Sequence, residues 1–139
     1  ASTGFFYQDE ISLAVELVTE QLQKGAASGY YFLFAEEAGR TIGYSCFGPV
    51  PATKFSYDLY WIAVHNDMRG KGIGKILLQK SEEKIRDLGG RRVYIETSGR
   101  ELYAPTREFY QSCKYGHEAV FEDFYAPGDA KYVYLKILE

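Results

Sequence analysis

The chain has 139 residues, of which 46% are hydrophobic and 17% aromatic, and it carries a formal net charge of -3 at pH 7. This composition predicts one compact domain over residues 1–139 and excludes a disordered or fibrous polypeptide, and the acidic balance gives no reason to expect nucleic acid as a partner. Only two cysteines are present, and no stretch approaches the roughly 20 apolar residues that span a bilayer, so we expect a cytoplasmic protein without a membrane partner.

The first elements in chain order are a predicted helix and a predicted hairpin. Asp9 can cap a helix over residues 10–23, in which Ile, Val and Leu side chains recur at helical spacing. Residues 30–35 and 41–47 are rich in aromatic and β-branched side chains and flank a turn that contains glycine, a pattern typical of a β-hairpin. We therefore expect two antiparallel strands after the first helix.

A strand, a long helix and another strand are predicted next. Residues 57–64 have the composition of a strand, which we expect to be buried on both faces. Residues 72–88 place apolar side chains at helical spacing on one face and charged side chains on the other, and two glycines stop this helix. Residues 92–97 again have the composition of a strand.

The last predicted elements are a short helix and two strands. Pro105 suits the first turn of a helix that continues to about Cys113, because its missing N–H group is not needed there. Residues 118–125 and 131–138 are predicted strands joined by a turn that contains proline and glycine. The order α-β-β-β-α-β-α-β-β predicts an α/β protein of the α+β type, with one mixed, mainly antiparallel sheet flanked by helices.

The turn before the long helix carries the strongest chemical signal. Arg69–Gly74 has glycines at three alternating positions, which lets the main chain bend and bring several N–H groups to a helix N-terminus. These donors, the helix dipole and nearby cationic side chains suit a pyrophosphate. A dinucleotide fingerprint fails because Lys75 stands where its third glycine is needed, and the spacing of a P-loop is not met. The alternative is a glycine-rich connector without a ligand.

This turn resembles the GNAT superfamily of N-acetyltransferases, whose signature Arg/Gln-x-x-Gly-x-Gly/Ala is matched by Arg69, Gly72 and Gly74. Residues 60–64 are similar to the strand that precedes the signature in the family, and the resemblance extends over most of the chain after the predicted first helix. The first strand of the family is not evident ahead of that helix. Either the chain is shortened at its start or its sheet begins with the strand at residues 30–35.

The second helix resembles the family through Phe109 and Tyr110, but the chain departs from the family pattern around it. Where the family commonly has Asn, Ala and Gly, this sequence has Tyr103, Thr106 and Lys114. We therefore expect contacts made from these three positions to differ from those of the family.

The resemblance implies an enzyme that transfers an acetyl group from acetyl-CoA to a primary amine by direct attack in a ternary complex. It further implies that the strand pairs through its main chain with the pantetheine arm, that the N–H group of Val64 stabilises the oxyanion, and that the turn binds the pyrophosphate. The residues implied in binding acetyl-CoA are Ile62, Ala63, Val64, Arg69, Gly70, Lys71, Gly72, Ile73, Gly74 and Lys75.

The same resemblance nominates Tyr110 as the general acid that protonates the leaving CoA sulfur. An alkyl ammonium must lose a proton before it attacks, and Glu96 is our first candidate for the base, with Asp58 as the second. His65 and His117 are the only histidines, and neither has a metal-binding spacing, so no metal is expected.

Three alternatives to a simple acetyltransferase remain open. The acyl donor could carry a longer chain, or the acceptor could be an amine of a protein rather than of a small molecule. A second alternative is a CoA-binding or regulatory module without catalysis. The third is a partner-binding domain, because the aromatic side chains between residues 121 and 134 could pack, line an acceptor pocket or form the contact of a homodimer.

Overall fold

A computed structural model of the protein describes residues 12–19, 29–65 and 72–138. Within these ranges the chain forms one sheet of seven strands and two α-helices, and neither helix is long and apolar enough to cross a membrane. The elements are β1 (Ser12–Thr19), β2 (Gly29–Glu37), β3 (Arg40–Pro49), β4 (Ser56–Val64), α1 (Ile73–Asp87), β5 (Arg92–Ser98), α2 (Ala104–Ser112), β6 (Gly116–Ala126) and β7 (Asp129–Ile137).

The strands lie in the order β1-β2-β3-β4-β5-β7-β6. All neighbours are antiparallel except β4 and β5, which are parallel and are connected through α1, as a parallel pair requires. This arrangement confirms the predicted α+β class with a mixed, mainly antiparallel sheet. From β2 onwards, the predicted bounds of each element agree with the structure to within two residues at either end.

The first described element is a strand, so the helix predicted over residues 10–23 is wrong. β1 pairs with β2 along all 8 of its residues. Leu13, Val15 and Leu17 alternate as they would in a strand, so the local pattern fits both structures, and the pairing with β2 favours the strand. The described order is therefore β-β-β-β-α-β-α-β-β, with a strand ahead of β2 that the sequence did not reveal. Asp9 lies outside the described residues.

The main core lies between α1 and the sheet. Ser45 on β3 and Ser81 on α1 are both buried and share a hydrogen bond of 2.6 Å between their hydroxyl oxygens. Gly43 permits the close approach of β3 to its neighbours, because a Cβ atom there would lie 2.9 Å from the carbonyl oxygen of Ala63 and 3.1 Å from Leu77. The buried apolar side chains of this core include Leu33, Ala35, Ile42, Phe47, Leu59, Ile73, Leu77, Leu78, Ile85, Val93 and Ile95.

A buried polar junction fastens the end of α2 to α1 and β7. Glu82 of α1 is only 7% exposed and accepts a hydrogen bond of 2.8 Å from the hydroxyl of Tyr115. Lys136 of β7 donates to Glu82 at 3.0 Å and to the carbonyl oxygen of Cys113, the cap of α2, at 3.2 Å. Charge-assisted hydrogen bonds of this kind hold their partners in one geometry, so the junction fixes α2 relative to α1.

Candidate active site

The parallel strands β4 and β5 separate after a short paired segment. They pair with each other only at three positions, from Ser56 to Asp58 on β4. Beyond these positions β4 continues to Val64 and β5 continues to Ser98. Tyr60 is an extra residue on β4, since Leu59 and Trp61 face consecutive residues of β3. Such a bulge bends its strand and increases the local twist. The result is a gap in the sheet between the second halves of β4 and β5.

Burial along β4 differs from the prediction at this gap. The strand was expected to be buried on both faces, but Tyr60 and Trp61 are exposed over 38% and 47% of their surfaces. The prediction is wrong because no strand covers this part of β4 on the β5 side, within the ranges that the structure describes. Large aromatic side chains therefore stand at the edge of the gap.

The main chain of β4 directs free hydrogen-bonding groups into the gap. The N–H group of His65 donates to the carbonyl oxygen of Ile42 on β3 at 2.8 Å. Because successive residues of a strand point their N–H and C=O groups to opposite edges, Ala63 also faces β3, whereas Ile62 and Val64 face the gap. Two residues of β4 thus present a donor and an acceptor each to an extended ligand, and Ala63 does not.

The N-terminus of α1 opens onto the same gap. Gly72 is the N-cap and has a φ of 81°, a left-handed conformation that glycine adopts without strain. The N–H groups of Ile73, Gly74 and Lys75 lie in the first turn, where they have no acceptor within the helix. No acidic side chain lies in this turn, so the helix dipole acts there without a neutralising charge. Arg69–Lys71, the rest of the predicted anion site, lie outside the described residues.

A cavity of about 640 Å³ joins the free edge of β4 to the start of α1. This cavity, which we call the donor cavity, combines main-chain donors with an apolar wall from α2, and Gly74 lies against the ring of Phe109. Its chemistry suits a ligand with a phosphate group at one end and an extended arm at the other. The lining residues are Ile62, Val64, Gly72, Ile73, Gly74, Lys75, Pro105, Thr106, Phe109 and Tyr110.

A second cavity of about 480 Å³, which we call the acceptor cavity, lies on the β5 side of the gap. Ile62, Thr106 and Tyr110 line both cavities, so the two spaces share one wall. The acceptor cavity is lined by Tyr60, Trp61, Ile62, Ile95, Glu96, Thr97, Ser98, Arg100, Tyr103, Thr106, Tyr110, Tyr125 and Asp129.

Tyr110 stands between the two cavities and keeps its proton. Its side chain is 6% exposed, its ring lies against those of Phe109 and Tyr115, and its hydroxyl forms no hydrogen bond with any other described residue. Burial, with a smaller contribution from Cys113, raises the pKa of Tyr110 to about 12. The phenol is therefore protonated at neutral pH and can donate to a ligand atom.

The two carboxylates considered as bases differ in placement. Glu96 lines the acceptor cavity and lies 3.6 Å from the ammonium group of Lys131. Asp58 is the last residue of β4 that pairs with β5. The pKa of Asp58 is raised to about 6, mainly by burial; the charge of Glu96 also raises it and that of Lys131 lowers it. The structure thus brings Glu96 and Tyr110 to one cavity, with Asp58 close enough to Glu96 for their charges to interact.

Several lining residues of the acceptor cavity were not foreseen. Ser98 is the last residue of β5 and Arg100 lies two residues later, whereas Asp129 begins β7 much further along the chain. They meet because β7 pairs with β5, which places Lys131 opposite Ser98. The carboxylate of Asp129 accepts a hydrogen bond from the hydroxyl of Ser98. Only the pairing of β5 with β7 could have indicated this contact.

No group of three or more metal-ligating side chains occurs among residues 12–19, 29–65 and 72–138. His117 stacks on Tyr132 at 5.1 Å between ring centroids and lies beside Tyr134, so its described contacts are with aromatic rings. His65 directly follows β4, and its main-chain N–H group donates to the carbonyl oxygen of Ile42.

Comparison with solved structures gives a close relative and many proteins of the same fold. A protein from Desulfovibrio desulfuricans described as a GNAT-family acetyltransferase is 45% identical, covers 78% of this chain and 69% of its own, and superposes with a TM-score of 0.77. An aminoglycoside 6'-N-acetyltransferase solved with coenzyme A is 18% identical, with coverages of 78% and 72% and a TM-score of 0.69. An acetyltransferase from Salmonella typhimurium solved with acetyl-CoA is 20% identical, with coverages of 79% and 65% and a TM-score of 0.67.

The last two similarities show a shared fold. No curated protein matches the chain. A family model described as the acetyltransferase (GNAT) family matches residues 3–115.

Proposed function

The chain belongs to the acetyltransferase (GNAT) family, and we propose that it is an N-acetyltransferase that transfers an acetyl group from acetyl-CoA to a primary amine. The observation that carries this proposal is the pair of cavities with one shared wall, since direct transfer requires donor and acceptor to meet at one point. The two cysteines, Cys46 and Cys113, are both free and buried, which is in keeping with a cytoplasmic location.

Acetyl-CoA occupies the donor cavity in this proposal. The pyrophosphate lies at the start of α1, where the N–H groups of the first turn and the ammonium group of Lys75 bind it, together with Arg69–Lys71. The pantetheine arm runs along β4 and pairs with the outward main-chain groups of Ile62 and Val64 as an added strand would. Ala63 contributes packing rather than hydrogen bonds, because its main chain faces β3.

The reaction forms a bond between the amine nitrogen and the carbonyl carbon as the carbon–sulfur bond breaks. The N–H group of Val64 stabilises the negative charge that develops on the carbonyl oxygen. Tyr110, which keeps its proton because its pKa is raised, gives that proton to the departing sulfur, and the proton that the attacking nitrogen loses restores the phenol through solvent. No covalent intermediate with the protein is needed, so the mechanism assigns no role to either cysteine.

The amine reaches the thioester from the acceptor cavity. An alkyl ammonium with a pKa of about 10 is mostly protonated at neutral pH, so it must first lose a proton. Glu96 receives that proton directly or through a water molecule, because it lines the cavity together with Tyr110. Asp129 also lines the cavity, but its carboxylate is engaged by the hydroxyl of Ser98 and by Arg100. Asp58 remains the second candidate, since its charge interacts with that of Glu96.

Calorimetric titration with acetyl-CoA tests the donor cavity without a guess about the amine. Gly72→Asp and Gly72→Asn form a matched pair, because both side chains tolerate the left-handed main chain and a Cβ atom there meets nothing within 4 Å. Only Asp places a negative charge beside the pyrophosphate, so we expect it to weaken binding about tenfold or more, and Asn by less than about threefold. Equal affinities for the two variants would contradict the assignment, and binding without amine-dependent release of CoA would indicate a CoA-binding module.

A further inference from the structure

The walls of the acceptor cavity are unusually aromatic. Tyr60, Trp61, Tyr103 and Tyr125 line it, and each is exposed over 36% to 47% of its surface, so part of each side chain is available to a ligand. Exposed aromatic rings around a cavity bind apolar or aromatic groups well, because burying both surfaces is favourable and the rings are rigid. The cavity therefore offers an apolar surface to the part of the acceptor that does not carry the amine.

The charged side chains that line the same cavity, among the described residues, are Glu96, Asp129 and Arg100. Arg100 lies 3.6 Å from Asp129, so these two charges offset each other. Glu96 is the carboxylate left to a ligand, with the ammonium group of Lys131 at 3.6 Å and the charge of Asp58 close by. One such carboxylate with two positive charges nearby suits a ligand with a single ammonium group and disfavours a polycation.

Arg100 further disfavours a second cationic group on the ligand. Its guanidinium lies 3.6 Å from Asp129 and over the ring of Tyr103, at 5.6 Å from the ring centroid. Arg107 donates hydrogen bonds to the carbonyl oxygens of Ser98 and Arg100, each at 2.8 Å, and so holds the main chain at Arg100 in place. Arg100 thus holds a positive charge at the wall of the cavity, where it disfavours a second ammonium group on the ligand.

We propose that the acceptor is a small primary amine with one positive charge on an aromatic or bulky apolar body. The ammonium group lies at Glu96, and the body lies against Trp61 and Tyr125. A volume of about 480 Å³ suits a small molecule. This inference rests on the proposed function for its place in catalysis, but the binding preference follows from the cavity alone.

Trp61 allows a test that does not depend on turnover. It is the only tryptophan of the chain and lines the acceptor cavity, so its fluorescence reports what binds there. The probes are 2-phenylethylamine, n-butylamine, spermidine and a pentapeptide with a free amino terminus. We expect 2-phenylethylamine to bind at least about tenfold more tightly than n-butylamine, because a buried ring is worth about that much, and more tightly than the other two.

The charge is tested with a neutral analogue of the same shape. We expect Glu96→Gln to weaken binding of 2-phenylethylamine about tenfold and to change binding of 2-phenylethanol less than about twofold. Tighter binding of n-butylamine, spermidine or the peptide than of 2-phenylethylamine, or an equal effect of Glu96→Gln on amine and alcohol, would overturn the inference.

The proposed contact between the apolar part of the ligand and Trp61 is tested by removing the tryptophan side chain and measuring binding by calorimetry. Trp61→Ala should reduce the preference for 2-phenylethylamine over n-butylamine to less than about threefold. Phe55→Ala, which removes an aromatic side chain of similar exposure outside both cavities, should leave the preference unchanged. An unchanged preference in Trp61→Ala would also overturn the inference. Failure of acetyl-CoA binding, measured separately, would instead overturn the proposed function.

Discussion

At the scale of single residues, Tyr110 occupies the position with the largest consequence for chemistry. Its ring belongs to the wall shared by the two cavities, and burial raises its pKa to about 12. A phenol with so high a pKa is a weak acid, but the CoA thiolate needs only one proton at the moment when it leaves. At neutral pH the phenol therefore holds its proton, which is the protonation state that the proposed reaction requires.

We expect Tyr110→Phe to lower kcat about 100-fold, because general acid catalysis is lost, while the affinity for acetyl-CoA changes less than about twofold. Steady-state kinetics and calorimetric titration measure the two quantities. Tyr44→Phe removes a hydroxyl outside both cavities and should change neither. If kcat of Tyr110→Phe stayed within threefold of the wild type, the residue would serve only as packing.

Single residues also show which parts of the candidate site a sequence pattern can identify and which it cannot. Tyr110 and Gly72 could be singled out because each belongs to a motif whose residues are close in the chain. Arg100 and Asp129 could not, because they meet only through the pairing of β5 with β7. Lys114 has a φ of 78°, a conformation that glycine would adopt more readily, which gives a physical reason for the family's glycine there.

At the scale of elements, the junction around Glu82 joins three of them. It links α1, whose start lies at the donor cavity, to α2, which carries Tyr110, and to β7. Removal of the carboxylate leaves the hydroxyl of Tyr115 and the ammonium group of Lys136 without their main partner in a buried setting. Loss of one partner of such a pair is costly because the other group stays desolvated.

We expect Glu82→Ala to reduce the free energy of unfolding by about 2–4 kcal/mol, as measured by denaturant titration. Glu83→Ala is the matched control, because Glu83 is one position along the same helix and forms an exposed pair with Lys80 at 3.4 Å. Its effect should stay below about 0.5 kcal/mol. Similar losses in the two variants would show that the junction adds no stability beyond that of a surface pair.

Elements also explain which parts of the fold could be foreseen. From β2 to β7, local composition and tertiary pairing favour the same structure, so the predicted bounds agree with the observed ones. β1 is different, because its apolar residues fit two patterns. Leu13, Val15 and Leu17 alternate as in a strand, whereas apolar residues three or four positions apart fit a helix. Pairing with β2 stabilises the strand. The bulge at Tyr60 leaves no mark in composition, so the exposure of β4 could not be predicted either.

At the scale of the whole molecule, Asp58 makes folding stability depend on pH. Its pKa is raised from an ordinary 3.8 to about 6, mainly by burial. The native state therefore holds a proton between these values that the unfolded state has lost, so stability falls as pH rises through this window. The stabilising contribution is complete below pH 3.8 and is gone above about pH 6.

We expect Asp58→Asn to unfold with a higher free energy than the wild type at pH 8, by roughly 1–3 kcal/mol, because the buried charge is removed. The difference should shrink as pH is lowered from 6 to 4, which denaturant titrations at several pH values would detect. A difference that stays constant over this window would mean that Asp58 does not titrate there.

The sheet as a whole is continuous except along the seam between β4 and β5, and this seam divides neighbouring amides into two classes. The N–H groups of Ile62 and Val64 face the seam, whereas that of Ala63 is held by β3. In amide hydrogen exchange, Ile62 and Val64 should exchange rapidly in the free protein and slowly with acetyl-CoA, while Ala63 stays slow in both. Such an alternating footprint, read residue by residue by NMR, would mean that the ligand completes the sheet; equal protection of all three would mean that it binds elsewhere.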